Sequence, residues 1–127
     1  MHKSQLGGFI IDCKTDDIDA AADFWSAALG MERAAADTPA TTGFVRLETA
    51  DPNGLAIEVQ KVDHPSRVHL DIETDDIEAE VARLEKLGAK RVKNYEFWWV
   101  LEAPTGQRFC VIRAKRKNFA KEANAWE

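Results

Sequence analysis

The stretch HLDIETDDIEA, residues 69–79, nearly repeats an earlier stretch, IIDCKTDDIDA, residues 10–20. A second match lies later in each half, where DPNGLAIEV, residues 51–59, aligns with APTGQRFCV, residues 103–111. Two matches in the same order indicate an internal duplication. The sequence therefore predicts one domain, residues 1–127, made of two copies of a module. The modules cover residues 8–62 and 68–114, with a linker at 63–67 and a tail at 115–127.

Each copy opens with a strand pattern. In VHLDIE, residues 68–73, Val68, Leu70 and Ile72 alternate with polar residues, as in a strand with one buried face. The first half then offers a short run after Gly30, GFVRLETA (43–50) and LAIEVQKV (55–62). The second half offers KRVKN (90–94), FWWVLEA (97–103) and RFCVIRA (108–114). Pro-Asn-Gly and Pro-Thr-Gly turns precede the last strand of the respective halves.

A helix is predicted after the first strand of each copy. Two acidic pairs have the spacing of capping boxes at a helix start: Asp16 with Asp19, and Asp75 with Glu78. Apolar residues at helical spacing predict one buried stripe on each helix: Ile18, Ala21, Ala22, Trp25 and Leu29, then Ile77, Val81, Leu84 and Leu87. Gly30 and Gly88 are typical residues after a helix end. Each half is thus predicted to be βαβββ.

A duplicated βαβββ module with an Asp-Ile-x-Ala helix start, a Leu-Gly helix end and a Pro-x-Gly turn resembles the vicinal oxygen chelate superfamily. That superfamily includes glyoxalases, bleomycin-resistance proteins and extradiol dioxygenases. Within it, the sequence is most similar to small bacterial glyoxalase-like domain proteins. The resemblance implies an α+β fold in which two tandem modules form an open, cup-shaped mixed sheet with helices on the outer face. It also implies a site on the concave face and a homodimer as the usual assembly.

In metal-dependent members of the superfamily, the first and last strand of each module carry one ligand each. Those four positions here are Ile10, Glu58, His69 and Cys110. Isoleucine cannot coordinate a metal, and a thiolate suits softer zinc sites. Glu58 and His69 alone fall short of the three protein ligands of a catalytic metal. The expectation is a protein without a metal cofactor, with Zn, Ni, Fe or Mn as the minority alternative. Asp12 and Asp71 are open as substitute ligands.

The concave face is also the predicted ligand-binding surface. Strand phase assigns to it Ile10, Asp12, Glu58, His69, Asp71, Trp98, Arg108 and Cys110. His69, hydrogen-bonded to Glu58, is a candidate general base, or a group that orients a polar ligand. Cys110 activated by His69 is an alternative nucleophile. The plain alternative is a solvated face of an antiparallel sheet.

Composition limits the class of protein. The 127 residues carry a formal net charge of −5, with 45% hydrophobic and 31% charged residues, as in a soluble globular domain. This acidity argues against nucleic-acid binding, and the basic RAKRK, residues 113–117, is predicted to be a solvated chain end. The first residues lack a signal-peptide pattern and no run of about 20 apolar residues occurs, so neither a signal peptide nor a membrane span is expected. The expectation is a cytoplasmic protein without membrane contact, with Cys13 and Cys110 reduced.

Three functions remain open at this point. The first is a glyoxalase-like protein that binds a small organic molecule without a metal, with or without catalysis. The second is a metal-dependent lyase, isomerase or dioxygenase. The third is a structural or interaction module whose concave face is filled by a partner chain or by its own tail, where Phe119 and Trp126 mark an amphipathic end.

Overall fold

The computed structural model describes residues 1–34, 43–48 and 54–127. Its elements are β1 His2–Lys14, α1 Ile18–Leu29, β2 Phe44–Leu47, β3 Ala56–Val62, β4 Arg67–Thr74, α2 Ile77–Lys86, β5 Lys90–Asn94, β6 Trp98–Glu102, β7 Arg108–Arg113, α3 Phe119–Glu122 and β8 Asn124–Trp126. The strands hydrogen-bond in the order β2-β3-β1-β4-β7-β6-β5, and β8 also pairs with β1. The predicted α+β class with a mixed sheet is confirmed. The predicted Pro-Asn-Gly turn falls largely outside the described residues.

The chain divides into an N-terminal unit, Gly8–Val68, and a C-terminal unit, Met1–Gly7 with His69–Glu127. In the N-terminal unit β1 is parallel to β3, and β2 is antiparallel to β3. In the C-terminal unit β4 is parallel to β7, while β7, β6 and β5 pair antiparallel. Parallel strands need a long crossover connection. In each unit this connection starts with the segment that contains the helix. The short run predicted after Gly30 contributes a single bridge, Arg33 to Leu47.

Both long helices begin one residue later than the acidic pairs predict. The N-cap side chains are those of Asp17, which accepts from Ala20 N at 3.0 Å, and Asp76, which accepts from Ala79 N at 3.1 Å. Asp16 and Asp75 were therefore the wrong caps. The reason lies in the preceding threonines, whose hydroxyls accept the N–H of Asp17 and Asp76 and so turn the chain before the helix starts. The helix ends fit the prediction, since Gly30 and Gly88 have φ of 66° and 108°.

Each helix covers one apolar sheet face of its own unit. The buried core of the N-terminal unit is Ile18, Ala22, Val45, Leu47 and Val59, with Trp25 packed against it. The buried core of the C-terminal unit is Val81, Leu84, Leu101 and Val111, with Ile72 and Trp99 packed against it. Four residues assigned to the buried side are instead exposed: Leu29, Val68, Leu70 and Leu87. Leu29, Val68 and Leu87 lie at or near element ends, whereas Leu70 lies inside β4, where burial rises only toward the last residues.

The C-terminal tail folds back on β1. Trp126 pairs with His2, and its indole N–H donates to Ser4 Oγ at 2.8 Å, while Phe119 is buried. The prediction of a solvated RAKRK segment is wrong at Arg116, whose Nε lies 3.0 Å from Glu73 Oε1. Glu73 is only 1% exposed, and a buried carboxylate requires hydrogen bonds and a counter-charge.

Gly8 is predicted to be intolerant of a side chain. A Cβ at Gly8 would lie 2.2 Å from the carbonyl oxygen of Ala56 on the paired strand β3, so the two strands would have to separate. Gly8→Ala should lower the free energy of unfolding in urea by about 3 kcal/mol, at the upper end of overpacking costs. Gly7→Ala is the control, because its Cβ would approach no atom closer than 3.2 Å. Equal losses in the two variants would contradict this explanation.

Candidate functional site

The sheet of the C-terminal unit has one face packed on α2 and one face that carries the polar candidates. Cys110 pairs with Asp71 on β4 and with Val100 on β6, and Ile112 pairs with Glu73 and Trp98. Because side chains alternate along a strand, these residues share a face. We call it the site face: His69, Asp71 and Glu73 of β4, Arg108, Cys110 and Ile112 of β7, and Trp98, Val100 and Glu102 of β6.

Three different donor groups come together on the site face. One ligand atom each of His69, Asp71 and Cys110 lies within 4.8 Å of the other two. His69 Nε2 is 3.3 Å from Asp71 Oδ1, and the two side chains are 10% and 14% exposed. Within the described part of the chain, Asp71 Oδ1 is buried and accepts no hydrogen bond. The 3.3 Å contact is thus an ion-pair distance without hydrogen-bond geometry.

The groups on either side of this cluster differ in character. Trp98 stacks on Tyr95, with ring centroids 4.7 Å apart and planes 10° apart. Arg108 Nε donates to Glu102 Oε1 at 3.1 Å, so its charge is already paired across the strands. The structure places Trp98 on the site face, as predicted, and Trp99 in the core. The site face therefore joins an aromatic stack, a mixed donor cluster and an ion pair.

The other predicted site residues belong to the N-terminal unit. Ile10 pairs with Glu58 across β1 and β3, and Asp12 lies two residues further along the same face. Ile10 and Asp12 are buried, and Asp12 Oδ2 lies 3.6 Å from Arg67 Nε. Their strand phase is the predicted one. The contact between Glu58 and His69 stays a prediction.

Two charged residues of the site face, Glu73 and Glu102, were not among the predicted site residues. Alternation along VHLDIE places Glu73 in phase with His69 and Asp71, so the signal was available. The sequence does not reveal that Glu73 pairs with Arg116, because Arg116 lies 43 residues further along the chain and outside the repeat.

The donor cluster fits a divalent metal ion. Three protein ligands are the number found in catalytic zinc sites, and these offer an imidazole nitrogen, a carboxylate oxygen and a thiolate sulfur. Ligand atoms around tetrahedral zinc are about 3.3–3.8 Å apart, which small side-chain rotations reach from the observed separation. His69, Asp71 and Cys110 would hold the ion and leave a position open. The expectation of no metal was based on Glu58 and His69 as the only standard ligands at the four superfamily positions. The position of Asp71 beside His69 and Cys110 weakens that argument, because it supplies a further donor.

The mixed sheet, with one long helix in each unit, is consistent with a fold of the vicinal oxygen chelate type. The sequence matches the glyoxalase-like domain over residues 8–112. The chain belongs to the glyoxalase-like domain family. No curated protein sequence matches it. Within the described residues, no helix has the length and apolar character needed to span a membrane.

Solved structures share this fold at low sequence identity. A hypothetical protein from Bacillus halodurans C-125 is 15% identical, with a TM-score of 0.61 over 90% of this chain and 96% of its own. A methylmalonyl-CoA epimerase in complex with methylmalonyl-CoA and NH4+ is 16% identical, with a TM-score of 0.58 over 88% and 95%. A glyoxalase/bleomycin resistance protein/dioxygenase superfamily member from Vibrio splendidus 12B01 is 18% identical, with a TM-score of 0.57 over 87% and 99%. The superfamily resemblance predicted from the repeat is confirmed.

Proposed function

We propose that this protein binds a small organic molecule on the site face of its C-terminal unit. The observation that carries the proposal is the His69, Asp71 and Cys110 cluster on the same face as the Trp98–Tyr95 stack. Ligand sites typically combine apolar and aromatic walls with a few convergent polar groups. A ligand with a flat apolar part and a polar head matches this face, with the flat part against Trp98 and the head toward His69.

The remaining expectations about the molecule are part of the same proposal. A cytoplasmic homodimer without nucleic-acid or membrane partners agrees with the net charge of −5 and with large exposed side chains such as Phe24 and Phe97. Such exposed aromatics are enriched at subunit interfaces. Sedimentation of the purified protein at several concentrations reads the oligomeric state directly.

The sequence favours a form of this function that needs no metal, and there is one alternative to it. A metal-dependent lyase, isomerase or dioxygenase is favoured by one observation, the three-donor cluster. Such an enzyme would use the ion to polarise an oxygen of the substrate. In a metal-free protein, the same His69–Asp71 pair would contact the polar head directly. Both forms place the ligand on the site face.

Titration calorimetry with catechol, bleomycin and methylmalonyl-CoA tests the location of the site. These probes represent compounds associated with the superfamily and its relatives. We expect at least one to bind, with affinity at least 10-fold weaker in both His69→Ala and Trp98→Ala. Losing the buried surface of an aromatic ring costs about 1.5–3 kcal/mol and leaving a buried polar group unpaired costs about 1–3 kcal/mol, whereas a factor of 10 in affinity corresponds to about 1.4 kcal/mol. Phe24→Ala, an exposed aromatic on α1, should leave affinity unchanged. Binding that is insensitive to His69→Ala would contradict the proposed site.

A further inference from the structure

We propose that His69, Asp71 and Cys110 form a self-contained binding site for a borderline-soft divalent cation, Zn²⁺ or Co²⁺, within the C-terminal unit. The inference deepens the proposed function, because it assigns a metal to the same face. It differs from the ligand arrangement implied by the superfamily resemblance, in which both modules contribute ligands. Here all three donors come from two adjacent strands, β4 and β7.

Strand geometry explains how two strands supply three ligands. His69 and Asp71 are two residues apart on β4, so both side chains leave the same face of the sheet. Cys110 is paired directly with Asp71 on the neighbouring strand β7. The three ligand atoms consequently lie within 4.8 Å of one another. Asp71 provides the third donor that Ile10 cannot provide.

The state of Asp71 is an independent indication that the cluster accommodates a cation. Its Oδ1 atom is buried and accepts no hydrogen bond from the described residues, although it lies 3.3 Å from His69 Nε2. Buried carboxylate oxygens are normally hydrogen-bonded, and exceptions call for an ion or another partner. A cation held between Asp71, His69 and Cys110 satisfies this oxygen.

The donor types select the class of cation. A thiolate and an imidazole both suit zinc, for which Co²⁺ is a spectroscopic substitute, whereas carboxylate, carbonyl and water oxygens suit magnesium, calcium and manganese. Coordination requires Cys110 as a thiolate, so binding replaces the S–H bond by a sulfur–metal bond and releases one proton to solvent. The second cysteine, Cys13, is a matched control. It lies in the N-terminal unit, and burial raises the pKa of its thiol, which keeps it protonated.

Cobalt absorption tests the ligand set in the absence of any organic compound. The full chain, treated with a chelator and then titrated with Co²⁺, should develop a sulfur-to-cobalt charge-transfer band and tetrahedral visible bands at one equivalent. Zn²⁺ should displace both. Cys110→Ser should abolish the charge-transfer band, Cys13→Ser should retain it, and Asp71→Asn should weaken Co²⁺ binding at least 10-fold. Circular dichroism confirms that each variant is folded.

A second measurement on the unaltered chain covers the case in which a variant does not fold. Zn²⁺ should slow the alkylation of Cys110 by iodoacetamide at least 10-fold and leave the rate at Cys13 unchanged, as read by mass spectrometry of the peptides. The inference is overturned by a wild-type protein without a charge-transfer band, by a band that survives Cys110→Ser, or by equal alkylation with and without Zn²⁺. The cobalt and alkylation experiments contain no organic ligand. Their outcome is therefore independent of whether any organic probe binds in the calorimetric test.

Discussion

A chain that ends after Arg113 should lose more than about 5 kcal/mol of unfolding free energy, enough to unfold a protein of ordinary stability. The removed segment buries Phe119, pairs β8 with β1 and carries Arg116. Its guanidinium also donates to the carbonyl oxygen of Leu6 at 2.6 Å. Lost burial and a buried carboxylate left without its counter-charge both contribute. Urea denaturation of the two chains measures the difference, and an unchanged midpoint would contradict the structural role of the tail.

Point variants separate the charge from the packing. Arg116→Ala leaves the Glu73 carboxylate buried, with hydrogen bonds from Gln5 and from the backbone N–H groups of residues 115 and 116. We expect a loss of about 3 kcal/mol, the lower end for breaking a buried pair, because these donors remain. Lys117→Ala, at an exposed position of the same segment, should change stability by less than about 0.5 kcal/mol.

Glu80→Gln should destabilise the protein strongly, and the loss should depend on pH. The Glu80 carboxylate is fully buried, with Arg83 at 2.7 Å and 2.8 Å and with His2 Nε2 at 2.8 Å. Burial would raise the pKa of Glu80, but the hydrogen bonds from Arg83, His2 and Ser4 outweigh it and hold the pKa below its ordinary value of 4.5. Removing the charge leaves the Arg83 guanidinium without its anion, at a cost of about 3 kcal/mol at neutral pH.

The sign of the pH dependence follows from the lowered pKa. A carboxyl group whose pKa is lower in the folded than in the unfolded state stabilises the fold above its unfolded pKa. That contribution is lost as the pH falls through the folded pKa. The stability gap between wild type and Glu80→Gln should therefore be full at neutral pH and shrink below pH 4.5. Glu78→Gln, whose side chain is 69% exposed on the same helix, should show no such gap. A gap that widened in acid would contradict the assignment.

The repeat made the elements of the fold predictable because local physics decides them. Alternation placed Ile72 in the core and Asp71 on the opposite face, and helical spacing placed Val81 and Leu84 under the sheet. The errors fell where a single long-range or turn contact decides the outcome. Each helix is capped one residue later than predicted, because a threonine hydroxyl accepts the backbone N–H of the capping aspartate. Arg116, which was predicted to be solvated, pairs with the carboxylate of Glu73, a residue distant in sequence.

The superfamily resemblance already grouped His69 with Cys110 and left Asp71 open as a substitute ligand, but the direct pairing of Asp71 with Cys110 was not predictable. His69, Asp71, Cys110 and Trp98 were all assigned to one face by strand phase. Their closeness depends on the register between β4 and β7, which pairs Asp71 with Cys110 and which no sequence pattern specifies. A register shifted by two residues would keep the same faces and separate the donors.

Zinc content of the protein purified without an affinity tag, after incubation with Zn²⁺ and removal of the free ion, tests the central claim most directly. The claim is that His69, Asp71 and Cys110 together form a site for a divalent cation on the site face. It predicts about one zinc per chain in the wild type and in Cys13→Ser, and almost none in a folded His69→Ala variant. A wild-type protein that retains no zinc, or a His69→Ala variant that retains as much as the wild type, would contradict it.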